Sequence, residues 1–402
     1  MKLLNSMMAG FVKVGQLTII DADGEAHVHG PGGYPSATIR LTDKKLYRTL
    51  FLNPELRAGE AYMDGTLICE GGGIRDLLEV FAYNRDGLRK HPGQKVLKGW
   101  LKKIRRYHQR NVASASRKNV QHHYDLSNDF YHLFLDEDLQ YSCAYWPRKD
   151  MTLEQAQEAK KAHIAAKLNL KSGDRVLDIG CGWGGMAIYL AQNFDVNVVG
   201  VTLSDEQHAL AVKRVQEAGL TDKVDIRLQD YRDVNGPFDA VVSVGMFEHV
   251  GIAHYLEYFS KIRDVLTDDG CALVHSIGRK GGPGTTGAWI RKYIFPGGYS
   301  PALSETFAEI EKSGLWVTDC EILRLHYAET LLEWDKRFQA NRDKVIEMFD
   351  EKFARMWEFY LIVSEFSFRH GKHMNFQIQL SKDVNALPMA RNYMRDVELQ
   401  LS

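Results

Sequence analysis

Five short strand-like patterns recur through the second half of the chain, at residues 175–179, 196–201, 223–228, 238–244 and 271–277, with helical spacing between them. Buried strands alternating with helices predict a parallel, doubly wound α/β sheet. Earlier in the chain the pattern differs. Residues 15–20 and 25–29 flank Asp21-Ala22-Asp23-Gly24, a hairpin turn signal, and residues 37–41 add another strand. Helical spacing follows at 43–52 and 73–83, around Gly71-Gly72-Gly73. These elements predict a small α+β module over 1–84. A helical tail from about 329 to 369, with other helical elements capping the sheet, is expected to close a domain spanning 119–402.

Between the two lies a basic segment. Residues 85–118 hold 12 Lys and Arg against the single acid Asp86, in a chain whose net charge is −1. Within it Val96, Leu97, Trp100, Leu101, Ile104 and Tyr107 recur at helical spacing. Such a helix fits an anionic membrane surface, its tryptophan on the apolar side and its cations at the rim. It equally fits a connecting helix whose charges are solvated. No nucleic-acid motif accompanies the charge, so nucleic acid is not an expected partner.

The 402 residues, 45% of them apolar and 26% charged, are ordinary for a soluble protein of two or more compact units. No apolar run approaches the 18 or so residues of a membrane span. At the start, Asn5 and Ser6 interrupt the apolar stretch and no cleavage site follows, which favours an amphipathic helix over a signal peptide. Five cysteines without CxxC or zinc spacing point to a reduced, cytoplasmic setting and no structural metal.

The first strand of the sheet runs into Leu177-Asp178-Ile179-Gly180-Cys181-Gly182-Trp183-Gly184-Gly185. Glycines let a strand turn sharply so that a ligand lies against bare backbone at a helix N-terminus. Gly180, Gly182 and Gly185 also spell the dinucleotide fingerprint, so the glycines alone leave the ligand open. A dinucleotide site needs an acid ending the second strand, for the ribose hydroxyls. That strand ends instead at Thr202-Leu203-Ser204, whereas Asp178 stands just before the glycines, facing where a ligand's amino group would lie. This pattern resembles the S-adenosylmethionine site of doubly wound methyltransferases. In such a sheet Asp178, Thr202, Asp230, Glu248 and His275 all fall on the ligand-binding rim at the strands' carboxyl ends.

Four further stretches sharpen the resemblance. They are Gln121–Phe130 (QHHYDLSNDF), Tyr141–Trp146 (YSCAYW), Gly245–Gly251 (GMFEHVG) and His326–Leu331 (HYAETL). With the glycine loop they resemble the cyclopropane-fatty-acyl-phospholipid synthase family, which includes the mycolic acid cyclopropane synthases, from about residue 120 onward. A weaker likeness reaches the N-terminal module through Ala58–Gly65. The resemblance implies a Rossmann-like class I methyltransferase fold and transfer of a carbon from S-adenosylmethionine to the cis double bond of a phospholipid acyl chain. A related outcome is a methylene- or methyl-branched chain.

An alkene is a weak nucleophile, and its attack on a sulfonium methyl leaves a carbocation. Ring closure then needs a base shielded from water. In the resembled family that base is a bicarbonate ion, which the likeness assigns here to backbone at Cys143 and to the side chains of Glu248, His275 and Tyr327. Taken singly, Glu248 could cap a helix, His275 could be a satisfied core histidine and Cys143 could be packing. The likeness further implies that Tyr141, Ser142, Asp178, Gly180, Gly182, Gly184, Thr202, Leu203 and Gln207 hold the cofactor, with Asp230 and Tyr231 at its adenine. Ser364 takes the place of a late cysteine of many family members, and no cysteine follows Cys320. Trp289 and its aromatic neighbours in 279–300 read either as an acyl tunnel or as core. The N-terminal module would bind lipid or join two copies into a homodimer, with the enzyme peripheral on the inner face of the cytoplasmic membrane.

Overall fold

The computed structural model describes residues 1–85 and 126–401. The elements begin with α1 (Lys2–Phe11), β1 (Gly15–Ile20), β2 (Ala26–Gly32), β3 (Ser36–Leu41), α2 (Lys45–Leu52), α3 (Pro54–Met63), β4 (Leu67–Glu70) and α4 (Ile74–Tyr83). After the undescribed stretch come α5 (Asn128–His132), α6 (Leu153–Leu168), β5 (Arg175–Ile179), α7 (Gly185–Phe194), β6 (Asn197–Thr202), α8 (Asp205–Glu217), β7 (Val224–Leu228), β8 (Phe238–Val244) and α9 (Tyr255–Val265). The chain continues through β9 (Leu266–Arg279), α10 (Ala288–Tyr293), α11 (Leu303–Ser313), β10 (Trp316–Leu323) and α12 (His326–Ala340). It finishes with α13 (Arg342–Met348), α14 (Glu351–Arg369), β11 (His373–Ser381) and α15 (Asn392–Leu401).

Two compact units emerge. One gathers residues 1–85, 285–296 and 331–372; the other gathers 126–284, 297–330 and 373–401. Residues 285–296 and 331–372, expected within 119–402, thus group with the N-terminal residues. The basic segment 85–118 lies, apart from Arg85, outside the described residues.

The first unit carries a four-stranded sheet in the order β2-β1-β3-β4, parallel only between β1 and β3. The expected hairpin forms because Asp21 Oδ1 accepts the N–H groups of Asp23 and Glu25, each at 3.0 Å. Leu17, Ile19, Ile39 and Leu41 alternate inward and are buried. Two elements lie outside the sequence expectation. α3 starts at Pro54 behind Asn53, whose side chain accepts the Leu56 N–H at 3.4 Å, and β4 is only four residues long. Trp289 is core here: it is 2% exposed and packs edge-on against Phe359 with ring centroids 4.7 Å apart.

The second unit is built on a seven-stranded sheet in the order β10-β11-β9-β8-β5-β6-β7. The five expected strands pair in parallel, while β11 runs antiparallel to both β9 and β10. The helical tail therefore does not close the chain; a central strand and another helix follow it. β11 alternates Asn375, Gln377 and Gln379 with Phe376, Ile378 and Leu380, and all six are buried. Its apolar side joins the core beneath α9 and α11, with Val241, Ala272 and Val274. Its polar side shares the face of Val242, Leu273 and His275, the face covered by α6 and α7. There α6 presents Lys160, His163 and Lys167, all buried. Its N-terminus is fixed by a capping box between Thr152 and Gln155.

Candidate active site

A cleft opens at the carboxyl ends of β5, β6, β7 and β8. The chain leaves β5 through Gly180 (φ +82°) and Gly182 (φ +55°), left-handed conformations that suit glycine. A Cβ at Gly180 would come within 2.9 Å of the Met246 Cβ. Of the eleven residues expected at the cofactor, ten line this cleft: Tyr141, Ser142, Asp178, Gly180, Gly182, Thr202, Leu203, Gln207, Asp230 and Tyr231. Gly184 sits instead behind the lining, as N-cap of α7, turned toward Ala211.

Asp178 is the electrostatic focus. It is 2% exposed, and its Oδ2 is buried without a hydrogen-bond partner. Burial pushes its carboxyl up to about 7, with nearby Lys160 pulling the other way. An orphaned acid beside bare glycine backbone suits a ligand bearing an ammonium group and fits the amino-acid end of S-adenosylmethionine. On the far side, Thr202 Oγ1 lies 3.0 Å from Gln207 Oε1, and Ser204 Oγ accepts the Gln207 N–H at 3.3 Å. Asp230 is held by Arg232 through contacts of 2.9 and 2.6 Å. Gln140, Trp183, Arg232 and His249 also line the cleft and were not expected there. They are sequence neighbours of expected residues, which was the available signal.

None of the four residues expected at the base lines the cleft; Glu248 and His275 each bear on β9, and the Cys143 segment is tied to the segment of Tyr327. β8 ends at Val244, so the Ile277 N–H on β9 extends beyond its neighbouring strand. Glu248 Oε1 accepts that N–H at 2.6 Å, while its Oε2 is buried and unpartnered. Burial raises the Glu248 carboxyl to about 7. His275 lies two residues earlier on the same face of β9 and is 1% exposed. Its Nδ1 is 3.1 Å from Gln377 Nε2, its Nε2 is 3.3 Å from Asn375 Nδ2, and burial draws it down to about 3. The ring is neutral. The Ala144 N–H and the Trp146 indole both donate to Thr330 Oγ1 at 3.1 Å, and the Trp146 N–H donates to His326 Nδ1 at 2.8 Å. Those bonds tie the Cys143 segment to the start of α12, where Tyr327 stands. The Cys143 thiol is fully buried and pushed far above its ordinary range, so it is no thiolate nucleophile.

The sheet order, the glycine loop and the orphaned acid define a class I S-adenosylmethionine-dependent methyltransferase. The chain belongs to the mycolic acid cyclopropane synthetase family, whose sequence profile matches residues 111–378. It is 38% identical over 373 residues to the cyclopropane-fatty-acyl-phospholipid synthase of Escherichia coli K12, covering 89% of this chain and 92% of that one. Similarity of 39% over 357 residues extends to a probable fatty acid methyltransferase of Pseudomonas putida, covering 87% of each. Among solved structures, the mycolic acid cyclopropane synthase CmaA1 complexed with SAH and CTAB superposes with a TM-score of 0.62 at 35% identity, covering 66% of this chain and 97% of that one. The protein is an S-adenosylmethionine-dependent methyltransferase of the cyclopropane synthase type.

Proposed function

We propose that this enzyme adds a carbon from S-adenosylmethionine across the cis double bond of unsaturated acyl chains in membrane phospholipids, closing a cyclopropane ring. The observation that carries the reading is Glu248 Oε2, a buried carboxyl oxygen without a hydrogen-bond partner, held beside β9, the strand that also bears the neutral His275. Kinship with enzymes named for acyl-lipid substrates supports the choice of acceptor.

S-adenosylmethionine supplies an electrophilic methyl group, and bicarbonate, held by the Cys143 backbone, Glu248, His275 and Tyr327, would supply a proton acceptor. The chain's own residues do the rest. Asp178 meets the cofactor's amino group, and the glycine backbone lets the ligand lie close. Asp230 and Tyr231, in the cleft lining, would flank the adenine. As the alkene's π electrons form the new C–C bond the sulfonium bond breaks, and positive charge develops on the acyl chain. Loss of a proton from the transferred methyl then lets its C–H electron pair close the ring. Burial around Glu248 and His275 keeps out water that would trap the cation. A carboxyl near 7 can share a proton with the base it holds, whereas a neutral imidazole can donate a hydrogen bond without adding charge.

No helix among the described residues is long and apolar enough to cross a membrane. The proposed enzyme works from the cytoplasmic face as a peripheral protein, with the N-terminal module engaging lipid or a second copy.

Glu248→Gln tests the reading. Turnover of unsaturated phospholipid vesicles should fall at least about a hundredfold, while S-adenosylhomocysteine affinity stays within about threefold. Mass spectrometry should show a gain of one CH2, and chemical localisation should resolve a ring from a methylene or methyl branch. Undiminished ring formation in the variant would remove Glu248 from the mechanism.

A further inference from the structure

Behind His275 runs a chain of buried polar groups that no motif singles out. Lys167, on the sheet-facing side of α6, is 2% exposed and pairs with Glu321 of β10. Its Nζ donates to Gln377 Oε1 at 2.6 Å. Burial works to raise the Glu321 carboxyl, yet His163 and Lys167 outweigh it and hold the group far below its ordinary range. The partner of Lys167 is thus a carboxylate; burial draws the lysine below its ordinary range, Glu321 works to keep it charged, and its Nζ donates to both Glu321 and Gln377.

That fixes the Gln377 amide. Its oxygen is committed to Lys167, so its NH2 is the group that faces His275 Nδ1 at 3.1 Å. An NH2 donates, so Nδ1 must accept. A neutral imidazole has one proton, which therefore sits on Nε2. Asn375 answers on that side. As placed, its Nδ2 faces Nε2 at 3.3 Å while its Oδ1 is buried with no partner. Turning the amide over, a choice that heavy-atom shape does not decide, gives the orphaned oxygen the Nε2 proton.

We propose that Lys167, acting through Gln377, is a positioning residue that locks His275 in the Nε2–H tautomer and so makes the ring a neutral donor. The donor lies toward Asn375, which pairs across the sheet with Ile277, whose N–H Glu248 accepts. The mechanistic consequence rests on the function proposed above. An imidazolium would hand its proton to an anionic base, and the opposite tautomer would aim a lone pair at it. Only the Nε2–H tautomer meets such a base with a neutral donor, the base taking the place of the Asn375 oxygen as acceptor when it binds.

Long-range 1H–15N spectra of histidine-labelled protein, without substrate, test the tautomer directly, with His275→Gln identifying the signal. In the wild type, Nε2 should show the protonated and Nδ1 the unprotonated 15N shift. Gln377→Glu keeps an acceptor for Lys167 but removes the donor to Nδ1, and should invert the pattern. Should that variant fail to fold, Lys167→Met serves the same purpose, freeing the Gln377 amide to turn and yielding a mixture of tautomers. A wild-type Nδ1–H pattern, or spectra unmoved by these substitutions, would overturn the proposal. Ring formation in Gln377→Glu should fall roughly a hundredfold, the scale of losing one aimed donor, with unchanged S-adenosylhomocysteine affinity. An inverted tautomer with full activity would uphold the relay and remove His275 from the proposed reaction.

Discussion

Lowering the pH from 8 to 6 should weaken S-adenosylhomocysteine binding about tenfold, through Asp178. Burial raises this carboxyl to about 7 in the free protein. The proposed ligand contact, an ammonium group, needs the carboxylate. With that value the ionised fraction is about 0.9 at pH 8 and about 0.1 at pH 6. If the bound ammonium holds the group ionised throughout, the cost at pH 6 is the ratio of those fractions, about 1.4 kcal/mol. The sign follows from the same balance: binding releases a proton below pH 7, so affinity rises with pH and levels off above it. Isothermal titration calorimetry in buffers of different ionisation enthalpy reads both quantities, with about 0.9 proton released at pH 6 and about 0.1 at pH 8. Asp178→Asn should lose the pH step and bind at pH 8 at least as weakly as wild type does at pH 6. Equal affinity at both pH values, or an equally steep profile in Asp178→Asn, would refute the assignment of Asp178 to the ligand's amino group.

The remaining predictions concern stability and lipid. At Gly59, in α3, a Cβ would stand 2.4 Å from Trp289 Nε1 and 3.1 Å from Phe359 Cε1. Gly59→Ala should therefore destabilise the first unit by about 1–3 kcal/mol despite better helix propensity, and an unchanged melting temperature would show that the tryptophan yields. Binding to vesicles should require anionic lipid and weaken with salt if residues 85–118 meet the membrane, since they carry 12 Lys and Arg against one acid. Salt-independent sedimentation would assign that segment to connection alone.

Strands β5, β6, β8 and β9 were legible because each carries an apolar run with turn chemistry at its end, and edge strand β7 because Val224 and Ile226 alternate with exposed Asp225 and Arg227. β11 was not. Its Asn-Phe-Gln-Ile-Gln-Leu alternation looks half-solvated, and its polar side is buried against partners such as Lys167 of α6, 210 residues before Gln377. Of the expected residues in the cleft's lining, Asp178, the glycines and Thr202 were legible from the loop and the second strand's end, and the rest came through the family resemblance. Lys167, Gln377 and Asn375 were not legible, because each gains meaning from a partner far along the chain. α3 was not expected; it holds Pro54 at its start and Gly59 within it. One starts the helix, and the other lets Trp289 approach it.

The position of β11 also sets an order of events during synthesis. The strand wedges between β9 and β10, which precede it in the chain yet do not pair with each other. Until residues 373–381 emerge from the ribosome, β9 has an open edge and His275 lacks both amide partners. The nascent chain therefore carries its parallel strands and glycine loop well before it can hold His275 between its two amides. Stalling or cleavage before β11 would leave a fragment with the loop but an unfinished sheet, exposed to misassembly along that edge.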